Sequence, residues 1–129
     1  MDDLRAADLW IHVQREASHV AIIWAGTSEA REPALYLLPY LDDLVNELHG
    51  SVVEIDFSAM DFMNSATIAP IVRFLRSLDR HCTKVRVLYD PSRTFQRTTF
   101  SAIKALGIVL RKLEVVAKGE GQATGSASD

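Results

Sequence analysis

Val52-Val53-Glu54-Ile55-Asp56-Phe57 alternates apolar and acidic side chains, so that Val53, Ile55 and Phe57 share one face of an extended segment and Glu54 and Asp56 the other. Ser58 to Asn64 follows as a short loop. Ile68, Ile71, Val72, Leu75 and Leu78 then recur at helical spacing, and Lys84 to Tyr89 alternates again, with Val85, Val87 and Tyr89 opposite Lys84 and Arg86. Strand, helix of about four turns and strand make a right-handed βαβ unit with parallel neighbours. A parallel sheet covered on both sides has strands that are apolar throughout. The charged alternate positions here therefore place helices mainly on one face and exclude a doubly wound fold. They also predict that strands 52–57 and 84–89 are adjacent, with Glu54 and Asp56 meeting Lys84 and Arg86 on the open side.

Upstream of that unit, Trp10, His12 and Gln14 alternate with Ile11 and Val13, and Val20 to Trp24 follows at hairpin spacing. Gly26-Thr27-Ser28 ends the second strand. Leu35, Leu38, Leu41, Leu44, Val45 and Leu48 form an amphipathic stripe that Gly50 terminates, and Pro39 within it marks either the helix start or a kink. Downstream, Phe95, Thr99, Ile103 and Leu106 read as a helix closed by Gly107, with Ile108 to Val116 as a last strand. The fold class is α/β: a mixed β-sheet with an amino-terminal hairpin and helices on one side.

A chain of 129 residues with 48% hydrophobic and 24% charged residues has the size and composition of one globular domain. That domain is expected over residues 1–118. From Gly119 the chain is Gly, Gln, Ala, Thr and Ser around one Glu and a closing Asp, a composition that reads as a disordered tail over residues 119–129. The apolar run Val20 to Ala25 is far shorter than the ~20 residues a membrane span requires, and Met1-Asp2-Asp3 is acidic where a secretory signal is basic, so a cytoplasmic setting is expected. A single cysteine, Cys82, provides neither an internal disulfide nor a zinc-ligand spacing. Charge is unevenly placed: residues 1–61 hold twelve Asp/Glu against three Lys/Arg, and residues 73–112 hold ten Lys/Arg against two Asp. Such a distribution either neutralises itself between neighbouring elements or leaves a basic face for a partner.

Phosphate-loop, dinucleotide and metalloprotease patterns are absent from the sequence. No GxSxG elbow surrounds Ser65, and His12, His19, His49 and His81 fall on separate elements with no pair expected among them. No metal and no cofactor is expected. Trp10 and Trp24, at strand ends, read as packing residues.

The stretch from Val52 to Ile68 resembles the signature of STAS domains, the anti-sigma-factor antagonists, in which a strand ending in Asp-Leu-Ser is followed by Phe-Met-Asp-Ser-Ser-Gly-Leu at the start of a helix. Phe62, Met63 and Ser65 match it; Asn64 replaces the Asp, and Ala66-Thr67 replaces Ser-Gly. The order of elements over residues 10 to about 116 is also that of the family. The resemblance implies a non-catalytic module in which Ser65 is phosphorylated, with Met63, Asn64, Thr67, Ile68 and Arg73 as the partner-binding residues around it. The Asn64-Ser65 pair is similar to the Asn-Thr pair of a smaller group of STAS-like bacterial regulators. Implied partners are a kinase of the anti-sigma-factor type and a phosphatase, in a partner-switching system. Neither nucleic acid nor membrane insertion is implied, and a homodimer is compatible with the family. The alternative is a non-phosphorylated STAS-type subunit docked permanently in a lipid-transport or stressosome-like complex. The residues speak for Ser65 on their own terms as well, since a helix amino terminus stabilises a phosphate. They are equally consistent with Ser65 or Thr67 acting only as the helix cap.

Overall fold

The structure is a computed structural model, and it describes residues 3–119. Residues 120–129, most of the expected tail, lie outside the described residues. The elements are β1 (Leu4–Ala6), β2 (Leu9–Glu16), β3 (His19–Ser28), α1 (Ala34–Glu47), β4 (Val52–Met63), α2 (Ser65–His81), β5 (Lys84–Tyr89), α3 (Thr94–Lys104), a 3-10 turn (Ala105–Ile108) and β6 (Leu113–Ala117). Six strands lie in sequence order in one sheet. The first two pairings are antiparallel and the remaining three parallel, so the sheet is mixed.

Alternation along the strands produces one buried face. Ile11, Val20, Ile22, Trp24, Val53, Ile55, Phe57, Val85 and Val87 point into a core completed by Leu37, Leu41 and Leu44 of α1, Ile71, Phe74 and Leu75 of α2, and Phe100 and Ile103 of α3. The partner residues of that alternation stay half exposed on the other side. Glu54 aligns with Arg86 as the parallel register requires. The charges meet differently from the expectation, however. Arg86 faces Glu114 of β6 at 3.6 Å, and Asp56 binds Lys118 at 3.0 Å. A hollow of about 590 Å³ on this open face is lined by Gln14, His19, Glu54, Lys84 and Arg86. It lies at the end of the sheet where β3, β4 and β5 begin.

β1 was not part of the sequence reading, and three element boundaries differ from it. α1 starts at Ala34 behind Pro33 and runs through Pro39, whose ring sits on the solvent side. Residues 108–112 are not strand: β6 is confined to Leu113–Ala117, because the 3-10 turn and the bends after it carry the chain to the start of the strand. The third difference matters most. β4 does not end at Phe57 but continues to Met63, pairing with β3 as Ala25↔Ala59, Gly26↔Met60 and Ser28↔Met63. Two bulges, between Ile23 and Ala25 and between Gly26 and Thr27, each add one residue on the β4 side. Alternation is thereby broken, and Phe57, Met60 and Met63 become the buried set at every third residue. A period of three disguises a strand as a loop.

β5 accompanies β4 only as far as Leu88, opposite Asp56, so the free edge of residues 58–63 needs other partners. Gln96, fully buried on α3, supplies them: its Nε2 donates to the Met60 carbonyl at 2.9 Å, and its Oε1 accepts the Asp90 N–H at 2.7 Å. Arg93 adds a bond to the Met60 carbonyl and an ion pair with Asp61 at 3.1 Å. These side chains substitute for a missing strand.

Asp56 links this region to pH. Burial, the largest single influence, raises its pKa, but the Ser58 hydroxyl and N–H and the Lys118 ammonium together outweigh it and hold the carboxyl below its ordinary range. A carboxylate with a depressed folded pKa contributes stability above its unfolded value and loses it as pH falls through the folded value. Unfolding free energy is therefore expected to decline below about pH 4, and Asp56→Asn should flatten part of that decline. The effect is under about 1 kcal/mol, because Lys118 is partly solvated. Denaturant midpoints between pH 3 and 7 for both proteins check this; equal acid slopes would remove Asp56 from the account.

Candidate functional site

The site forms where the bulged end of β4 enters α2. Asn64 caps the helix: its backbone is extended, and its Oδ1 accepts the Thr67 N–H at 3.2 Å and the Thr67 hydroxyl at 2.8 Å. Its Nδ2 donates to the Ala30 carbonyl at 2.8 Å, and its own N–H donates to the Ser28 carbonyl at 2.9 Å. The Thr67 hydroxyl has one proton, which goes to Asn64. The 2.7 Å bond between Thr67 and Ser28 therefore uses the Ser28 proton, giving a one-way chain Ser28 to Thr67 to Asn64. Ser28 and Thr67 are both buried, so this chain is shielded from water and ties the end of β3, the β3–α1 loop and the first turn of α2 into one unit.

Ser65, the next residue, behaves differently. It is the first residue of α2, it is exposed, and its hydroxyl has no hydrogen-bond partner among the described residues. The first turn of α2 contains no acidic residue, while the last turn carries Arg80 and His81, so the positive end of the helix dipole stands unneutralised beside the serine. The cap is Asn64, which removes Ser65 and Thr67 from that role.

The other expected contact residues separate into two groups. Met63 and Thr67 are buried and support the loop from beneath, so neither side chain is on the surface a partner meets. Asn64 is half exposed, Ile68 is partly buried, and Arg73 is exposed and paired with Asp42 of α1 at 2.9 Å. Ser65, Ile68 and Arg73 share the outward side of α2 with Ala69, Val72, Arg76, Ser77 and Arg80, along an open groove of about 730 Å³. A smaller apolar groove of about 380 Å³ runs beside it, between Ile68 and Val72 of α2, Thr99 and Ala102 of α3 and Leu106 of the 3-10 turn. The i, i+3, i+7 spacing of Arg73, Arg76 and Arg80 was readable in the sequence. Phe62 joins the site as an exposed ring packed 5.9 Å from Phe95, a contact between β4 and α3 that sequence spacing does not reveal.

The histidines need correction. His49 and His81, which the sequence places on separate elements, lie with ring centroids 5.0 Å apart at the carboxyl ends of α1 and α2, and His12 binds Asp3 at 2.6 Å. Both arrangements are remote from Ser65 along the fold. Cys82 is buried and donates to the Leu48 carbonyl at 3.3 Å; burial pushes its thiol up, against a smaller downward pull from Lys112, so it remains a protonated packing residue. Among the described residues no group of three or more His, Cys, Asp or Glu is arranged to hold a metal.

The mixed six-stranded sheet with its helices on one face is a STAS-like fold. No protein-family model and no curated protein matches the chain. Among solved structures, the crystal structure of an anti-sigma factor antagonist from Mycobacterium paratuberculosis is similar, with a TM-score of 0.63 and 16% sequence identity over 98% of this chain and 100% of that one. The likeness is one of fold, over the full length of both chains.

Proposed function

We propose that the chain is a non-catalytic protein interaction module of a bacterial partner-switching system, with Ser65 as the residue whose phosphorylation controls binding. The observation that carries this reading is the contrast within one loop. Ser28, Asn64 and Thr67 are consumed by a closed hydrogen-bond chain, whereas the Ser65 hydroxyl is exposed and unbonded at a helix amino terminus. A phosphate there adds about −1.5 to −2 charges beside the α2 groove and is stabilised by the helix dipole rather than unfolding it. The likeness to an anti-sigma factor antagonist supports the same reading. Its partners are then a kinase of the anti-sigma-factor type, which both binds and modifies this surface, and a phosphatase that restores it, all in the cytoplasm.

The test is phosphate transfer. Incubation with the native partner kinase and ATP is expected to add one phosphate to residues 64–67, located by mass spectrometry, and Ser65→Ala should bind the partner without being modified. Ser65→Asp should bind about tenfold more weakly with little loss of stability. If the wild type remains unmodified and both variants bind like it, the surface is a permanent docking face and the subunit alternative takes its place.

A further inference from the structure

A second surface stands at the opposite end of the molecule. β3 to β6 are parallel and Ser65 follows the carboxyl end of β4, whereas the 3-10 turn leads into the amino-terminal end of β6, so the turn lies toward the other end of the sheet. In this turn Leu106 and Leu110 pack against the core, and the Val109 and Leu110 N–H groups both donate to the Leu106 carbonyl, at 3.0 and 2.8 Å. The Lys112 N–H is fastened to the Asp79 carboxylate at 2.8 Å. Between these anchors Ile108 and Val109 are pushed outward, 85% and 70% exposed, among the few large apolar side chains in water on the described residues. Lys104 precedes them, Arg111 and Lys112 follow, and all three are exposed. Lys84 joins Arg111 and Lys112 around one hollow, with Glu114 as the acidic residue on its wall.

We propose that this end of the fold docks peripherally on an anionic lipid bilayer, with Ile108 and Val109 entering the headgroup boundary and Lys104, Arg111 and Lys112 contacting lipid phosphates. Two adjacent apolar side chains on a projecting turn form a patch far smaller than the roughly 800 Å² per partner of a specific protein interface. They match what an interfacial anchor needs, which is shallow apolar burial combined with several cations. The charge is complementary locally though not globally: the chain is −3 overall, so only this oriented face attracts an anionic surface. The contact is not a span, since no helix among the described residues is long and apolar enough to cross a membrane. The contact does not use Ser65.

Co-sedimentation of the full chain with vesicles tests it. Binding is expected to phosphatidylcholine vesicles containing about a third phosphatidylglycerol, at least tenfold weaker binding to phosphatidylcholine alone, and release by high salt. The double variant Ile108→Ser/Val109→Ser should keep its far-ultraviolet circular dichroism and lose about tenfold in vesicle affinity. Arg111→Glu/Lys112→Glu should lose more than about 25-fold, at about fivefold for each cation removed. Absence of binding to the anionic vesicles overturns the proposal. So does binding that the two serines leave unchanged, which marks non-specific charge attraction. Loss of native-partner binding in the serine variant without any vesicle binding assigns the turn to a protein and also overturns it.

Discussion

Phe57→Ala is expected to destabilise the domain by about 3–5 kcal/mol. The ring is fully buried at the last alternating position of β4, 5.1 Å from Trp24 on β3 and 4.8 Å from Phe100 on α3, and Phe100 stacks in turn on Tyr89 of β5 at 5.5 Å. The cluster centred on this ring therefore joins three strands and a helix. Removing it costs the transfer of the ring to water and leaves a cavity, because Trp24 and Phe100 are held by elements that cannot close the gap independently. A domain of this size has roughly 5–15 kcal/mol in all, so the variant should melt about 10–20 °C lower. Urea unfolding followed by tryptophan fluorescence measures it directly, with Trp24 as the neighbouring reporter. A loss under about 1 kcal/mol would mean that the aromatic cluster is not the centre of the core.

Asn64→Ala has the next largest expected effect, and it acts on the site. The amide side chain caps α2, accepts the buried Thr67 hydroxyl and donates to the Ala30 carbonyl. Losing a cap costs about 1 kcal/mol, and leaving the Thr67 hydroxyl and the Ala30 carbonyl without partners adds a similar amount, for about 2–3 kcal/mol together. Asn64→Asp separates the contributions. A carboxylate still accepts both bonds from Thr67 and gains from the helix dipole, but it sets an oxygen against the Ala30 carbonyl where Asn64 placed a donor, so a loss of about 1 kcal/mol is expected. Hydrogen exchange at the Thr67 amide should accelerate in the Ala variant and much less in the Asp variant. Identical exchange in both would sink the assignment of the cap. The amide at residue 64 is thus tied to Ala30: with a carbonyl opposite, Asn satisfies what Asp leaves repelling.

The single covered face was legible from Val53, Ile55 and Phe57 against Glu54 and Asp56, because a side-chain period of two reports directly which positions meet a core. The helical stripe from Ile68 to Leu78 was legible for the corresponding reason, and Ser65 at the junction of strand and helix followed from the two together. Where periodicity lapsed, local sequence could not distinguish strand from loop. The bulges in β4 exist because β3 and β4 carry different numbers of residues between the same pairings, a relation between two segments that neither states alone. Nothing in the sequence singles out Gln96, whose role comes from the unpaired edge of residues 58–63 lying beside it. Thr67 and Met63 looked like surface residues of a loop until β3 and the core covered them. The amino-acid sequence by itself determined the periods and the strand-to-helix junction that holds Ser65. Tertiary structure decided which hydroxyls are buried and which one remains open, because burial and hydrogen-bond satisfaction depend on what the rest of the chain brings alongside.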